Sequence, residues 1–191
     1  MSYLLSALAL LVQVVFGAIA TLFLVRLLAE ANRADFHNPL SQFVYRYTNP
    51  ILAPIRRVLP NWRRINLTAL LILLITFVVE RTLISVLDGF LPPWLSLLVI
   101  SLADLLRFVL LFYIVVIFGW SLLSMFSPDT YHPMYRLAGT IVQPLLRPLR
   151  GKLVVGSIDF SPTVVVIVLL LAMRLIADPL FDFGASLARG G

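Results

Sequence analysis

NPLSQFVYRYTNPILAPIR (Asn38–Arg56) is answered farther along the chain by HPMYRLAGTIVQPLLRPLR (His132–Arg150), and the two stretches align without a gap. Pro39, Pro50, Leu52, Pro54 and Arg56 fall on Pro133, Pro144, Leu146, Pro148 and Arg150. With proline at about 5% usage, three coincident prolines arise by chance on the order of once in ten thousand per register. The chain is therefore read as a duplication whose copies run parallel, not inverted. A one-residue adjustment carries the match onward: Ile65-Asn66-Leu67-Thr68 meets Ile158-Asp159-Phe160-Ser161, and Arg81 meets Arg174.

Working outward, each copy is flanked by apolar runs long enough to cross a bilayer. Tyr3 to Val25 carries no charge and exceeds the roughly 20 positions a spanning helix needs. Ala29-Glu30-Ala31 resembles a signal-peptide cleavage site, but no basic residue precedes the run and its length exceeds an h-region, so the segment is expected to stay in the mature chain. A second span covers Ile65 to Leu87. The third tract, Leu91 to Phe126, is too long for one perpendicular span. Phe108 to Phe126 can cross alone, while Pro92-Pro93-Trp94 opens either one long tilted helix or a separate shallow segment at the interface. The fourth span is Phe160 to about Phe181; its apolar residues, at about 0.3–0.6 kcal/mol each, outweigh the roughly 2.5–3.5 kcal/mol for inserting Arg174.

Composition agrees. Of 191 residues 61% are hydrophobic and 13% charged, a balance that a soluble core of this size cannot hide from water. The formal charge of +6 is read as topology rather than nucleic-acid binding. Arg33, Arg46, Arg56, Arg57, Arg63 and Arg64 lie between the first two spans, and Arg136, Arg147, Arg150 and Lys152 between the last two. Loops 29–64 and 127–159 are accordingly expected in the cytoplasm with both termini opposite. Cysteine is absent, which removes disulfides, thiolate ligands and thiol nucleophiles.

The fold expected is an all-α membrane protein: about four transmembrane helices in two parallel hairpin repeats, residues 1–90 and 91–191, each with a short amphipathic in-plane helix on the cytoplasmic side. Leu40, Phe43, Val44 and Tyr47 form a stripe at helical spacing, repeated by Met134, Leu137, Ala138 and Ile141. Asn38 can cap the first in-plane helix with Pro39 at its first position. His132-Pro133 opens the second with a poorer cap, and Pro50 and Pro144 are expected to end or sharply bend the two helices.

The Asn-Pro, the later Pro-x-x-x-Pro-x-Arg and the Ile-Asp-Phe-Ser type of helix start resemble the repeat of the YggT family of bacterial membrane proteins. The resemblance spans nearly the whole chain, with His132 in place of Asn38 and Gln143 in place of Asn49 in the second copy. It implies a role in osmotic-stress tolerance and potassium handling, or in assembly processes such as those tied to plastid relatives.

Charge inside a span is expensive and marks a candidate site. Glu80, Arg81, Asp104, Arg107, Arg174 and Asp178 form that set. Asp104 with Arg107 (i, i+3) and Arg174 with Asp178 (i, i+4) can each pair along one helix, while Glu80 is a candidate partner for Arg174 across the hairpins. Arg56 and Arg150 either anchor on anionic headgroups or form a specific lipid, ion or partner site. His37 and His132 lack metal-ligand spacing, and no phosphate loop or nucleophile elbow occurs, so neither a cofactor nor a catalytic residue is expected. The function expected is a non-enzymatic bacterial inner-membrane protein of osmotic tolerance, or an assembly or scaffold partner of membrane complexes. Its expected partners are anionic headgroups and a membrane protein or a second copy of the chain, not nucleic acid. The rival is a small monovalent-cation transporter or channel component with Glu80 or Asp104 along the path.

Overall fold

The computed structural model describes residues 3–59, 61–126, 132–155 and 158–189. In chain order its helices are α1 (Tyr3–Ala31), α2 (Pro39–Arg56), α3 (Leu67–Leu87), α4 (Trp94–Phe126), α5 (Pro133–Leu146), α6 (Ser161–Ala172) and α7 (Asp178–Ala188). Four rods are long and apolar enough to cross a membrane: α1, α3, α4 and the continuous α6–α7. Even the shortest, α3, has 21 residues, about 31 Å at 1.5 Å per residue, which matches a hydrocarbon core of about 30 Å. Leu10, Val14, Val115, Phe118, Leu171 and Leu175 stand exposed along these rods. Such a continuous apolar girdle belongs in lipid.

Local chemistry starts the helices where the repeat places them. The Asn38 side chain accepts from the Leu40 N–H with Pro39 in the first turn, and Asn66 does the same for Ala69 at the start of α3. In the second copy His132 makes no side-chain cap, while Asp159 Oδ1 accepts from the Ser161 N–H at 2.9 Å. A small antiparallel turn precedes the second span of each copy: Trp62 bridges Ile65, and Val154–Val155 (β1) pairs with Ile158–Asp159 (β2).

α1 packs along α3 and α4 along α6–α7, giving two hairpins; α3 against α4 and α2 against α5 join them. Phe23, Leu24, Leu52, Leu73 and Phe77 fill the first hairpin with Leu105 of α4. Ile117, Trp120, Val142, Leu146 and Leu169 fill the second. Ala29, Ala34, Leu137 and Ile141 form the seam between copies. α4 and α7 come close together at Gly184, where an added Cβ would lie 2.7 Å from Ile100 Cγ1 and 3.0 Å from Ile100 N. Ser96 Oγ donates to the Gly184 carbonyl there at 2.7 Å.

Several expectations are resolved or revised. Residues 94–126 are one unbroken helix, which settles the long-helix alternative for that tract. α2 does not end at Pro50 but runs through Pro50 and Pro54 to Arg56, and α5 passes Pro144. Burial of Leu52 and Leu146 in the two hairpin cores holds these turns despite the missing N–H groups. The α2 stripe is shared between two environments: Val44 faces the protein with Ser41, Thr48 and Leu52, while Phe43 and Tyr47 face outward with Ile51. In the fourth span, Pro179 would collide with the carbonyl of Leu175. A π-turn at Met173–Ala177, closed by the Asp178 N–H on the Met173 carbonyl, widens the helix at that point.

Candidate functional site

Two layers of polar side chains cross the apolar rods. The first lies where the C-terminal end of α1 meets α2 and the start of α3. Glu30 is its hub: Oε1 accepts from Nη2 of Arg26 and of Arg56, each at 2.7 Å, and Oε2 from Nδ2 of Asn66 at 2.7 Å. Arg26 is 1% exposed. Its Nη2 also reaches Asn49 Oδ1 at 3.1 Å, and its guanidinium carbon lies 3.3 Å from the Tyr45 ring centroid, so the aromatic face covers the side that lacks acceptors. Burial pushes the Tyr45 phenol up from its usual pKa, with Arg26 opposing. Three elements far apart in sequence are thus tied to one carboxylate.

The second layer lies within the spans. Arg81 of α3 donates from Nε to Asp104 Oδ2 of α4 at 2.9 Å, and its Nη2 donates to the same oxygen. Arg107, one turn along α4, meets Asp178 at 2.6 Å, and Arg174 meets Asp178 at 3.2 Å. The expected i, i+4 pair of Arg174 and Asp178 forms. Asp104 and Arg107 do not pair with each other; each turns to a different neighbouring helix, because a cross-helix partner comes closer than the adjacent turn. Glu80 makes no ion pair with Arg174 among the described residues; its Oε2 is buried without a partner beside a cleft of about 480 Å³ that Arg81, Asp104, Arg107 and Gln13 also line.

The repeat motif divides between the seam and the interior of each copy. Asn38, besides capping α2, donates from Nδ2 to the Pro133 carbonyl at 2.8 Å, tying the start of one repeat segment to the start of the other. Pro39 and Pro133 occupy first turns, Pro50, Pro54 and Pro144 lie inside helices, and Pro148 lies in the turn after α5. Arg56 is held by Glu30, whereas Arg150 is exposed at a cleft of about 370 Å³ between the copies. Asp35 crosses the same seam to Arg136 at 3.0 Å. The N–H of His37 holds the Asp35 carboxyl below its usual pKa, aided by Arg136. Among the described residues no three His, Asp or Glu side chains gather as a metal site.

Sequence reading missed Arg26, Glu30, Tyr45, Asn49 and Asn66 as one unit. Its one local signal is the i, i+4 spacing of Arg26 and Glu30 at the end of an apolar run.

Four apolar rods in two packed hairpins, braced by ion pairs between spans, define a multi-pass helical membrane protein built by internal duplication. A family model described as CCB3/YggT matches twice, at residues 5–87 and 99–180. The chain belongs to the CCB3/YggT family. It is 33% identical over 159 residues to an uncharacterised protein of Pseudomonas aeruginosa, covering 80% of this chain and 77% of that one. It is 32% identical over 169 residues to the uncharacterised protein YggT of Escherichia coli, covering 87% of each. An uncharacterised protein of Haemophilus influenzae is 32% identical over 178 residues, 91% of this chain and 93% of that one. No solved structure matches.

Proposed function

We propose that the chain is a non-enzymatic protein of the bacterial inner membrane that serves as a scaffold or assembly partner for membrane complexes and supports osmotic-stress tolerance. The observation that carries this reading is the mutual pairing of the intramembrane charges other than Glu80. Asp104 is taken by Arg81, and Asp178 by Arg107 and Arg174, so these carboxylates act as struts between spans rather than stations for a moving ion. In this reading loops 29–64 and 127–159 face the cytoplasm, since basic residues crowd there. α2 and α5 lie in the interface plane, with exposed Phe43, Tyr47 and Ile51 of α2 in the lipid boundary.

One observation favours a second reading, a monovalent-cation path: Glu80 stands beside the intramembrane cleft with Oε2 unpartnered. Glu80→Gln separates the two, because Glu80 makes no ion pair among the described residues, whereas neutralising Asp104 would also strand Arg81. A deletion strain carrying wild type or Glu80→Gln is followed for growth and cytoplasmic potassium after hyperosmotic shock. The scaffold reading expects full rescue by the variant. Failure of a fully inserted variant transfers the function to the cation path, and a deletion without phenotype removes the osmotic role.

A further inference from the structure

The two matches to the family model begin 94 residues apart and end 93 apart, the spacing of the paired proline motifs. At that spacing Arg26 corresponds to Trp120, Glu30 to Ser124, Tyr45 to Gly139, Asn49 to Gln143 and Arg56 to Arg150. The first copy is closed internally, since its arginine at the end of the repeat motif, Arg56, finds the carboxylate of Glu30. The second copy has Ser124 in place of that carboxylate and carries the arginine as Arg150. Arg150 makes no ion pair among the described residues. Arg150 acts weakly on the exposed Asp159, whose carboxylate accepts from the Ser161 N–H at 2.9 Å.

In the second copy Trp120 packs into the core where the first copy has Arg26, and an open cleft lies beside it. The space of about 370 Å³ is lined by Arg150, Gln143, Trp120, Tyr135, Ser41 and Arg136. Two buried polar groups on its walls, Trp120 Nε1 and Ser41 Oγ, have no hydrogen-bond partner, an expensive state for polar groups that water does not reach. Gly139, where the first copy has Tyr45, gives the indole its room, for an added Cβ would lie 3.1 Å from Trp120 Nε1. The one acid in the lining, Asp35, is already paired with Arg136. A second cleft of about 500 Å³ shares Thr140 and Gln143 with the first and adds Arg33, Arg64 and Arg147.

We propose that this cleft binds the phosphate-bearing headgroup of an anionic phospholipid, whose oxyanion takes the place opposite Arg150 that Glu30 takes opposite Arg56. The space exceeds what one carboxylate fills, the surrounding charge is basic, and the cleft lies beside helices placed above at the membrane interface. Only that placement comes from the proposed orientation. A titration in micelles reads the site whichever face α5 occupies, so failure of the site and failure of the orientation are distinguishable.

The full chain carrying Trp62→Phe and Trp94→Phe retains Trp120 as its sole indole reporter. In detergent micelles it is titrated with dihexanoyl-phosphatidylglycerol, with dihexanoyl-phosphatidylcholine and with inorganic phosphate. The expected result is a saturable fluorescence change with phosphatidylglycerol alone, its affinity at least tenfold weaker in Arg150→Gln. Ser124→Glu, which returns to the second copy the acid found in the first, should compete with the lipid and weaken it similarly. Equal affinity for inorganic phosphate would overturn the lipid assignment. Unchanged phosphatidylglycerol binding in an Arg150→Gln protein that melts like wild type would overturn the site.

Discussion

Replacing Glu30 by Gln should be among the most damaging single polar substitutions in the chain. The carboxylate neutralises Arg26, which is 1% exposed, while accepting at 2.7 Å from Arg26, Arg56 and Asn66. Removing one member of a buried ion pair costs about 3–5 kcal/mol, because the other charge stays buried without compensation. A glutamine keeps one acceptor oxygen, which places the expected loss near the lower limit, about 3 kcal/mol or roughly a hundredfold in the folding equilibrium. Arg56, with its side chain 30% exposed, can turn to solvent when its partner is lost, so Arg56→Gln should cost only about 1–2 kcal/mol. Equilibrium unfolding in mixed micelles, driven by rising mole fraction of sodium dodecyl sulfate and followed by circular dichroism, gives both values. The double variant should lose less than the sum, since the two residues share one hydrogen bond. Equal losses for the two single variants, or strict additivity in the double, would refute the idea that Glu30 is the buried hub.

Other substitutions probe the remaining contacts. Gly184→Ala should destabilise by about 1–3 kcal/mol in the same unfolding assay, since its Cβ meets Ile100 backbone at 3.0 Å and cannot be relieved by a rotamer change alone. Asn38→Ala should cost about 1–2 kcal/mol by losing both the cap of α2 and the bond to the Pro133 carbonyl, while His132→Ala, which loses no cap hydrogen bond, should be nearly neutral. Hydrogen exchange in the first turn of α2 should rise in the former and not in the latter. Single cysteines placed at Arg57 and Arg147 in this cysteine-free chain should label from the cytoplasmic side, and one at Arg189 from the opposite side.

The spans were legible because uncharged apolar runs of bilayer length have few other solutions, and the duplication because prolines and arginines recur at fixed spacing. Glu30 was not legible. It follows an apolar run in a stretch that reads as a flank, and its partners Arg56 and Asn66 lie 26 and 36 residues away. What covers the α2 stripe was not legible for a related reason: periodicity locates an apolar face but not its neighbour, and here Val44 packs inward with Ser41 and Thr48 while Phe43, Tyr47 and Ile51 turn away from the protein. Glu80, Arg81, Asp104, Arg107, Arg174 and Asp178 stand out in the sequence as charges within or beside apolar runs. Their pairing depended on which rods are neighbours, and only packing fixes that: α4 lies between α3 and α7, so Asp104 and Arg107 part company.

The claim that these charges brace the spans rather than conduct is tested most directly by exchanging one pair. Arg81→Asp alone places two carboxylates together and should fail to accumulate as inserted protein. Arg81→Asp with Asp104→Arg should restore insertion, stability and growth of the deletion strain after hyperosmotic shock. A double variant that inserts and melts like wild type yet leaves growth and cytoplasmic potassium at the deletion level would contradict the account, because the sign of charge at each position would then matter beyond the bond between them.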